Sequence, residues 1–315
     1  MPDLLAAWGV TPVTTRPAAQ GTNNTTLLIH ARGGDYVLRV SHNLTAIQVA
    51  REIAVLDLLE RAGLPFAVPR PLPCLDGRRW RPAAGGVATL VPRIEGSRPD
   101  LSGPAALAVY GEAVGQLTCA LAGIPLQAGP WNWLADEPGP ADDVVVTRLR
   151  AAGASARTVG ALGRLAADVD NETRELRATL PRQVVHDDLA ASNLLVGADG
   201  RVTGVLDFEV AGAGLRVDEP VAALAQSGAL DRADWRDAVA AFARGYATTV
   251  RLTDVEVTAV PPLLRLRAVG NVRWRARRWF AGRASLAEVV DRIDGMSRAC
   301  AWLDDHDAEL ISLLS

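Results

Sequence analysis

Hydrophobic and polar positions alternate along much of the first hundred residues, with the period of a strand that has one buried face. Two such runs, at 25–31 and 36–40, are joined by a polar turn and predict a hairpin. Apolar residues instead recur at helical spacing across 44–62. Two further strand-like runs follow at 68–75 and 87–91. This order predicts a small antiparallel sheet with one helix.

The pattern changes after residue 94. Residues 95–103 read EGSRPDLSG, a polar stretch typical of a linker. The helices predicted beyond it cover 104–122, two segments within 141–180, 217–229, 232–248, 253–281 with a break at Pro261-Pro262, and 285–313. We therefore predict an α+β protein. Its N-terminal lobe, residues 1–94, is small and rich in strands, and its C-terminal lobe, residues 95–315, is larger and mainly helical.

One segment of the helical half is different. Residues 184–209 read VVHDDLAASNLLVGADGRVTGVLDFE, and they begin as a short apolar strand that leads into a polar cluster containing His186 and Asp188. Asn193 follows five residues after Asp188, and an apolar hairpin then ends at Asp207. The hairpin should return Asp207 to the side of the cluster. Two carboxylates and one carboxamide would then converge, and these are oxygen ligands that suit Mg²⁺.

Composition narrows the class of protein. The chain has 315 residues, of which 49% are hydrophobic and 22% charged, as in globular proteins. A net charge of −3 gives no support to nucleic-acid binding as a main role. Its three cysteines are scattered and suggest neither a zinc site nor disulfides. With no signal pattern and no apolar run of about 18 residues, we expect a cytoplasmic protein that does not enter a membrane.

Asp188 is the candidate catalytic base, because a carboxylate can align an acceptor hydroxyl with the γ-phosphate of ATP and take its proton. Asn193 and Asp207 would hold Mg²⁺. Any one of these residues alone would more often be a cap or a solvated loop residue, but the combination is hard to obtain by chance. His186 is a second catalytic candidate. It could brace the loop by hydrogen bonds, which we favour, or transfer a proton.

Residues at the entry to the first strand suit a nucleotide. Backbone amides in such a turn can cradle phosphates, and a glycine permits close approach, although an ordinary turn has the same pattern. The candidates are Gly21, Thr22, Asn24 and Thr25.

Arg39 and Glu52 form a second candidate nucleotide contact. Arg39 lies inside the apolar second strand and Glu52 on the helix that follows. The sequence contains no lysine, so all 33 basic residues are arginine, and any cation that meets phosphate must be one. The pair could hold a positive charge against the α- and β-phosphates. An exposed strand arginine and a solvated glutamate remain the alternative.

Together these motifs resemble the aminoglycoside phosphotransferase family, which includes type II homoserine kinases and choline-kinase-like enzymes and has a protein-kinase-like bilobal fold. The similarity rests on HDDLAASNLLV and GVLDFEVAGAGLRVDEPVAAL and extends over residues 20–250. It implies a catalytic Asp188, metal ligands Asn193 and Asp207, a nucleotide loop at 21–25, a helix glutamate at Glu52, and an adenine-facing hinge that includes Val91 and Arg93.

Three positions depart from the family pattern. Arg39 stands where the family has lysine, Asp187 where the catalytic loop has glycine, and Glu209 follows D-F where protein kinases have glycine. Arginine keeps the charge but is bulkier. Glu209 and the short segment before the next helix indicate that this is not a regulated protein kinase.

The acceptor pocket should lie in the helical half. Asp218 and Glu219 could reach it or could cap the helix that begins beside them. Seven arginines lie further along, at 265, 267, 273, 275, 277, 278 and 283. They could form a solvated helix face, or some could bind a carboxylate or phosphate on the acceptor.

The expected function is ATP- and Mg²⁺-dependent transfer of the γ-phosphate to a hydroxyl of a small molecule. A homoserine-like metabolite or an antibiotic would serve as acceptor, and the arginines weakly disfavour polycationic aminoglycosides. The alternative is a catalytically silent nucleotide-binding pseudokinase that serves as a binding module. No nucleic-acid or membrane partner is predicted.

Overall fold

The computed structural model describes residues 2–18, 24–126 and 140–315. These residues form two compact units. The first lies within Met1–Leu101, Gln116–Trp131 and Gln183–Gly214, and the second within Ser102–Gly115, Asn132–Arg182 and Leu215–Ser315. The lobe boundary between residues 94 and 95 stays a prediction.

A five-stranded antiparallel sheet forms the largest part of the first unit. Its strands are β1 (Pro12–Pro17), β2 (Asn24–Ala31), β3 (Gly34–Ser41), β4 (Arg81–Ala83) and β5 (Gly86–Pro92), in the spatial order β1-β2-β3-β5-β4. Two helices accompany it, α1 (Pro2–Ala6) and α2 (Ala46–Arg61). Helix α2 begins at Thr45, whose hydroxyl accepts from the Gln48 backbone in a capping box.

The predicted alternation on β3 is observed. Leu38 and Val40 are buried in the core of the sheet together with Leu27 and Ile29 of β2. Each buried aliphatic side chain contributes about 1.5–3 kcal/mol to stability. Arg39 therefore lies on the opposite face of the strand from this core.

The segment 68–75 was predicted as a strand, and that prediction is wrong. Pro69, Pro71 and Pro73 remove every second backbone donor, so the segment cannot complete a ladder. Its Leu72 backbone N–H makes a single bond of 2.7 Å to the Leu90 carbonyl.

The segment that carries the polar cluster also belongs to the first unit. Strand β6 (Arg182–Val185) pairs with β9 (Gly212–Leu215), and β7 (Leu194–Val196) forms a hairpin with β8 (Val202–Val205). A single 3₁₀ turn, Ala191–Asn193, precedes β7.

Earlier parts of the chain bind the β7–β8 hairpin along both edges. Ser97 and Val196 exchange backbone hydrogen bonds of 2.9 and 2.8 Å. On the other edge, the Ala67 N–H donates to the Thr203 carbonyl at 2.9 Å, and the Val205 N–H donates to the Ala67 carbonyl at 3.0 Å. The hairpin is thus the centre of a short four-segment array.

Helices account for most of the second unit. They are α3 (Pro104–Ala122, whose last residues fall in the first unit), α4 (Asp142–Ala151), α5 (Ala156–Thr179), α6 (Asp218–Gln226), α7 (Trp235–Ala247), α8 (Asp254–Phe280) and α9 (Leu286–Leu314). The break expected at Pro261-Pro262 is absent, because α8 continues through both prolines. Both are buried, and burial along the helix offsets the ~3 kcal/mol that an interior proline costs.

Helix α3 also corrects the expectation that no apolar segment is long enough to cross a membrane. Among the described residues, it is the one helix that is long and apolar enough to cross a membrane. Its most apolar 18 residues have a mean hydropathy of 1.3, and half of that stretch is buried inside the protein. Core helices pass the same test.

Helices α3 and α7 approach each other through glycines. A Cβ added at Gly111 would overlap the Phe242 carbonyl oxygen, and one added at Gly245 would overlap the Ala108 carbonyl oxygen. Neither neighbour is a flexible side chain, so a substitution must move backbone.

We expect Gly245→Ala to lower the free energy of unfolding by at least about 2 kcal/mol, because the added methyl pushes two packed helices apart. Chemical denaturation measures the loss. The matched control is Gly163→Ala in α5, where a Cβ meets nothing within 4 Å, and there the change should be neutral or stabilising. Equal effects at the two sites would contradict the helix contact.

Candidate active site

The predicted catalytic, metal-binding and nucleotide-binding residues that the structure describes all lie in the first unit. Gly21 and Thr22 lie outside the described residues. The remaining candidates come from β2, β3, α2, the end of β5 and the segment between β6 and β9.

Arg39 joins two carboxylates. Its Nη2 lies 2.5 Å from Glu52 Oε2, and its Nη1 lies 3.5 Å from Asp207 Oδ1. Glu52 is almost completely buried. Burial lowers the pKa of the Arg39 guanidinium, but the charges of Glu52 and Asp207 outweigh it, so the pKa is raised above its ordinary value. The structure thus brings together the pair that the sequence predicted and adds Asp207 as a second partner.

Asp207 lies among like charges. Burial and the negative charge of Glu209 raise the pKa of Asp207 to about 8, with smaller contributions from Glu52 and Asp188 and an opposing one from Arg39. A carboxylate in this position gains a cation readily, because a positive charge relieves the crowding.

The catalytic loop is held by short contacts within itself. Asn193 Nδ2 donates to the Asp188 carbonyl at 2.8 Å and to Asp188 Oδ2 at 2.9 Å. These bonds use the amide nitrogen of Asn193, so its oxygen is the atom suited to a metal ligand. Asp188 is half-buried, whereas Asp187 beside it is buried. Asp188 is therefore the one of the two that solvent and a substrate can reach.

His186 is completely buried beneath this loop. Its Nδ1 accepts from the Asp188 backbone N–H at 3.2 Å, its Nε2 lies 3.0 Å from the Leu206 carbonyl, and its ring meets Phe208 edge-on. Because a carbonyl can only accept, Nε2 carries the hydrogen. These contacts fit a bracing role, and proton transfer by His186 stays a prediction.

Two residues of this segment have a strained backbone. Among the described non-glycine residues, positive φ occurs at Asp187 (60°) and Asp207 (64°). Such conformations cost free energy and collect at functional sites. The left-handed conformation at Asp187 is one that glycine adopts without strain.

The other nucleotide candidates lie around this cluster. Thr25 Oγ1 is 2.8 Å from His42 Nε2, so the first residues of β2 are linked to the end of β3. Val91 pairs with Val37 on β3. Arg93 donates its backbone N–H to the Asp35 carbonyl at 2.9 Å, so that group is already bonded within the protein.

Glu209 is a site residue that the sequence did not single out. It accepts a hydrogen bond from Asn24 Nδ2 at 2.8 Å and is nearly buried. The sequence signal for it is a carboxylate two residues after Asp207 in an otherwise apolar stretch.

The donor set fits Mg²⁺. In the part of the chain that the structure describes, no group of three or more His, Cys, Asp or Glu residues forms a self-sufficient metal site. Asn193 and Asp207 instead offer one carboxamide and one carboxylate. Mg²⁺ in kinases is bound in this manner, through one or two protein oxygens together with substrate phosphates and water. The raised pKa of Asp207 agrees with a position that needs a cation.

The acceptor candidates in the second unit have local partners. Asp218 Oδ2 accepts from the backbone N–H of Leu215, a residue that precedes helix α6, at 2.7 Å, and Glu219 is buried. Several of the arginines form ion pairs: Arg265 with Asp304 and Asp307, Arg273 with Asp142 and Asp170, and Arg275 with Glu288. Burial and neighbouring positive charge lower the pKa of both Arg277 and Arg278. An acceptor-binding role for any of them stays a prediction.

The metal-free protein should lose stability as pH rises from about 4 to 8, since Asp207 holds a proton in the folded state over this range but not in the unfolded state. Asp207→Asn removes that contribution and tolerates the positive φ. Thermal unfolding in metal-free buffer should therefore show the variant gaining on the wild type as pH increases. Parallel pH profiles would contradict the raised pKa.

Comparison with known sequences identifies the family. The family model described as "phosphotransferase enzyme family" (APH) matches residues 14–254. Homoserine kinase of Gluconacetobacter diazotrophicus is 28% identical over 264 residues, which cover 79% of this chain and 76% of that protein. Homoserine kinase of Brucella ovis is 27% identical over 265 residues, covering 83% and 78%.

Solved structures agree on the fold. An amicoumacin kinase in complex with AMP-PNP and Ca²⁺ superposes with a TM-score of 0.73 at 14% identity, covering 94% of this chain and 91% of that one. A microcompartment-associated aminopropanol kinase superposes with a TM-score of 0.66 at 18% identity, covering 97% of each chain. The predicted α+β, protein-kinase-like fold class and the family resemblance are confirmed.

Proposed function

Because the chain belongs to the phosphotransferase enzyme family, we propose that it is an ATP- and Mg²⁺-dependent kinase that phosphorylates a hydroxyl of a small molecule. One observation carries the proposal. Arg39 bridges Glu52 and Asp207, and Asn193 binds Asp188. The Leu206 N–H, next to Asp207, donates to the Asn193 carbonyl at 2.7 Å, so the candidate phosphate-binding, metal-binding and catalytic groups belong to one connected cluster.

Asp188 is the proposed catalytic base. The two bonds from Asn193 Nδ2 fix the orientation of its carboxylate. From that position it aligns the acceptor hydroxyl and accepts its proton as the oxygen attacks the γ-phosphorus, and the bond from phosphorus to the β–γ bridging oxygen breaks to release ADP. His186 holds the loop from below through its two ring nitrogens.

Arg39 takes the role that lysine has in relatives. Its guanidinium is positioned by Glu52 and directs positive charge toward the α- and β-phosphates. Asn193 Oδ1 and the Asp207 carboxylate would hold Mg²⁺. The cation would screen the negative charge that develops on the phosphates during transfer.

Homoserine is the first acceptor to test, because homoserine kinases are the curated relatives that match most of this chain. Its carboxylate would need a cationic partner, for which the arginines of α8 and its C-terminal end are candidates. Aminoalcohols and hydroxylated antibiotics form the second group, since the structural neighbours include an aminopropanol kinase and an amicoumacin kinase. We place the reaction in the cytoplasm.

Release of ADP in the presence of Mg-ATP and a panel of these acceptors tests the proposal. Turnover with at least one acceptor, above the rate of Asp188→Asn, would support it. Binding of Mg-ADP without turnover on any acceptor would favour the pseudokinase alternative. A wild type that binds no nucleotide would exclude both.

A further inference from the structure

Glu209 has no step in the proposed reaction, yet it lies inside the site. Its side chain is 4% exposed. Its Oε2 accepts from Asn24 Nδ2 at 2.8 Å, between residues that are 185 positions apart in the sequence. The contact joins the beginning of β2 to the segment that carries Asp207, and nothing in local structure requires it.

Of the two polar atoms of the Asn24 side-chain amide, only the nitrogen has a hydrogen-bond partner among the described residues. Asn24 Oδ1 is buried and, among the described residues, has no hydrogen-bond partner. Leaving a buried acceptor unbonded is costly, so such an atom points to a donor from outside the described residues. Glu209 determines which end of the amide is used, because a carboxylate can bond only the nitrogen. The oxygen is thereby left for a ligand or water.

Glu209 also acts through its charge. Glu209 follows Asp207 by two residues in the chain and is buried, so its carboxylate adds negative charge to the segment that carries the candidate metal ligand. One side chain thus contacts the nucleotide-binding end of β2 and adds negative charge where the metal is expected.

We propose that Glu209 is a positioning residue that anchors Asn24 beside the metal-binding segment and, through its charge, makes nucleotide binding depend more strongly on a divalent cation. The inference rests on the proposed function. Asn24 is the residue through which Glu209 acts on the nucleotide. The carboxylate acts directly on the charge balance at Asp207.

Calorimetric measurement of ADP affinity at saturating Mg²⁺ tests whether Glu209 anchors Asn24. Glu209→Ala and Asn24→Ala should each weaken ADP about tenfold, and the double variant should be no weaker than the weaker single variant. The control is Glu175→Ala, which removes an exposed carboxylate of α5 and should bind as the wild type does. If the double variant lost ADP affinity by the product of the two single losses, the residues would act independently and the proposal would be overturned.

Glu209→Gln separates the bond from the charge. Its amide oxygen can still accept from Asn24, so ADP affinity at saturating Mg²⁺ should stay within about threefold of the wild type. The charge is lost, so the ratio of ADP affinities with and without Mg²⁺ should fall in Glu209→Gln and Glu209→Ala alike. A purely structural role would leave that ratio unchanged, and this result would overturn the proposal.

Nucleotide binding and turnover by the wild type distinguish failure of the proposed function from failure of this inference alone. A wild type that binds no Mg-ADP removes the proposed function and this inference together. A wild type that binds and turns over, with Glu209→Ala and Asn24→Ala equal to it in ADP affinity, removes only the inference.

Discussion

Asp188→Asn is expected to reduce turnover by at least about a hundredfold while Mg-ADP binding stays close to that of the wild type, since the variant loses the proton acceptor but little else. Asn193 Nδ2 can still donate to the backbone carbonyl of residue 188, to which it is 2.8 Å distant, and to the new side-chain oxygen. The loop should therefore keep its shape. Steady-state kinetics on the best acceptor and calorimetric ADP binding give the two quantities.

Asp199→Asn is the matched control, because it makes the same isosteric change at an exposed turn of the β7–β8 hairpin. Its Oδ1 accepts from the Arg201 backbone at 3.1 Å, a bond that asparagine preserves. This variant should turn over at the wild-type rate. If Asp188→Asn did so as well, Asp188 would not be the base.

Arg39→Met is expected to have the second large effect, on stability and activity together. Removing the guanidinium leaves Glu52, whose side chain is 1% exposed, as a buried carboxylate without its partner. Breaking a buried pair in this way costs about 3–5 kcal/mol of folding free energy. The lost positive charge should also reduce kcat/KM about a hundredfold or more. Urea denaturation and steady-state kinetics measure the two losses.

A second substitution separates these two consequences. In Arg39→Met with Glu52→Met, the fully buried carboxylate of Glu52 is no longer left without its partner, so most of the lost stability should return. Activity should not return, since the phosphate-facing cation is still missing. Arg39→Lys keeps the charge, although one ammonium cannot match a guanidinium that reaches two carboxylates, and it should remain active. Restored activity in the double variant would show that Arg39 has only a structural role.

Local patterns predicted most elements because burial follows them. The alternation along β3 placed Leu38 and Val40 in the core and Arg39 on the other face, as the structure has them. Proline misled the prediction in both directions. Its effect was underestimated in 68–75, where three prolines remove the backbone donors that the predicted strand needs. Its effect was overestimated in α8, which continues through two prolines because tertiary burial outweighs local propensity.

The sequence predicted most residues of the candidate site but only some of the contacts between them. Spacing brought out Asp188, Asn193 and Asp207, and the Arg39–Glu52 pair was expected. The bond between Asn24 and Glu209 was not, since it joins distant residues and depends on how the sheet meets the catalytic segment. The positive φ at Asp207 likewise has no local signal, because aspartate adopts that conformation only when its surroundings enforce it.

Both edges of the β7–β8 hairpin pair with earlier parts of the chain, and this sets the order in which the chain can fold during synthesis. Ala67 and Ser97 have their backbone partners at residues 196–205, so they pair only after about a hundred or more further residues have been translated. Contacts of such long sequence separation slow folding and leave strand edges open meanwhile. A nascent chain that stops near residue 101 should therefore be sensitive to proteases. A peptide spanning 183–214, added separately, should lower that sensitivity because it supplies the strands that Ala67 and Ser97 pair with.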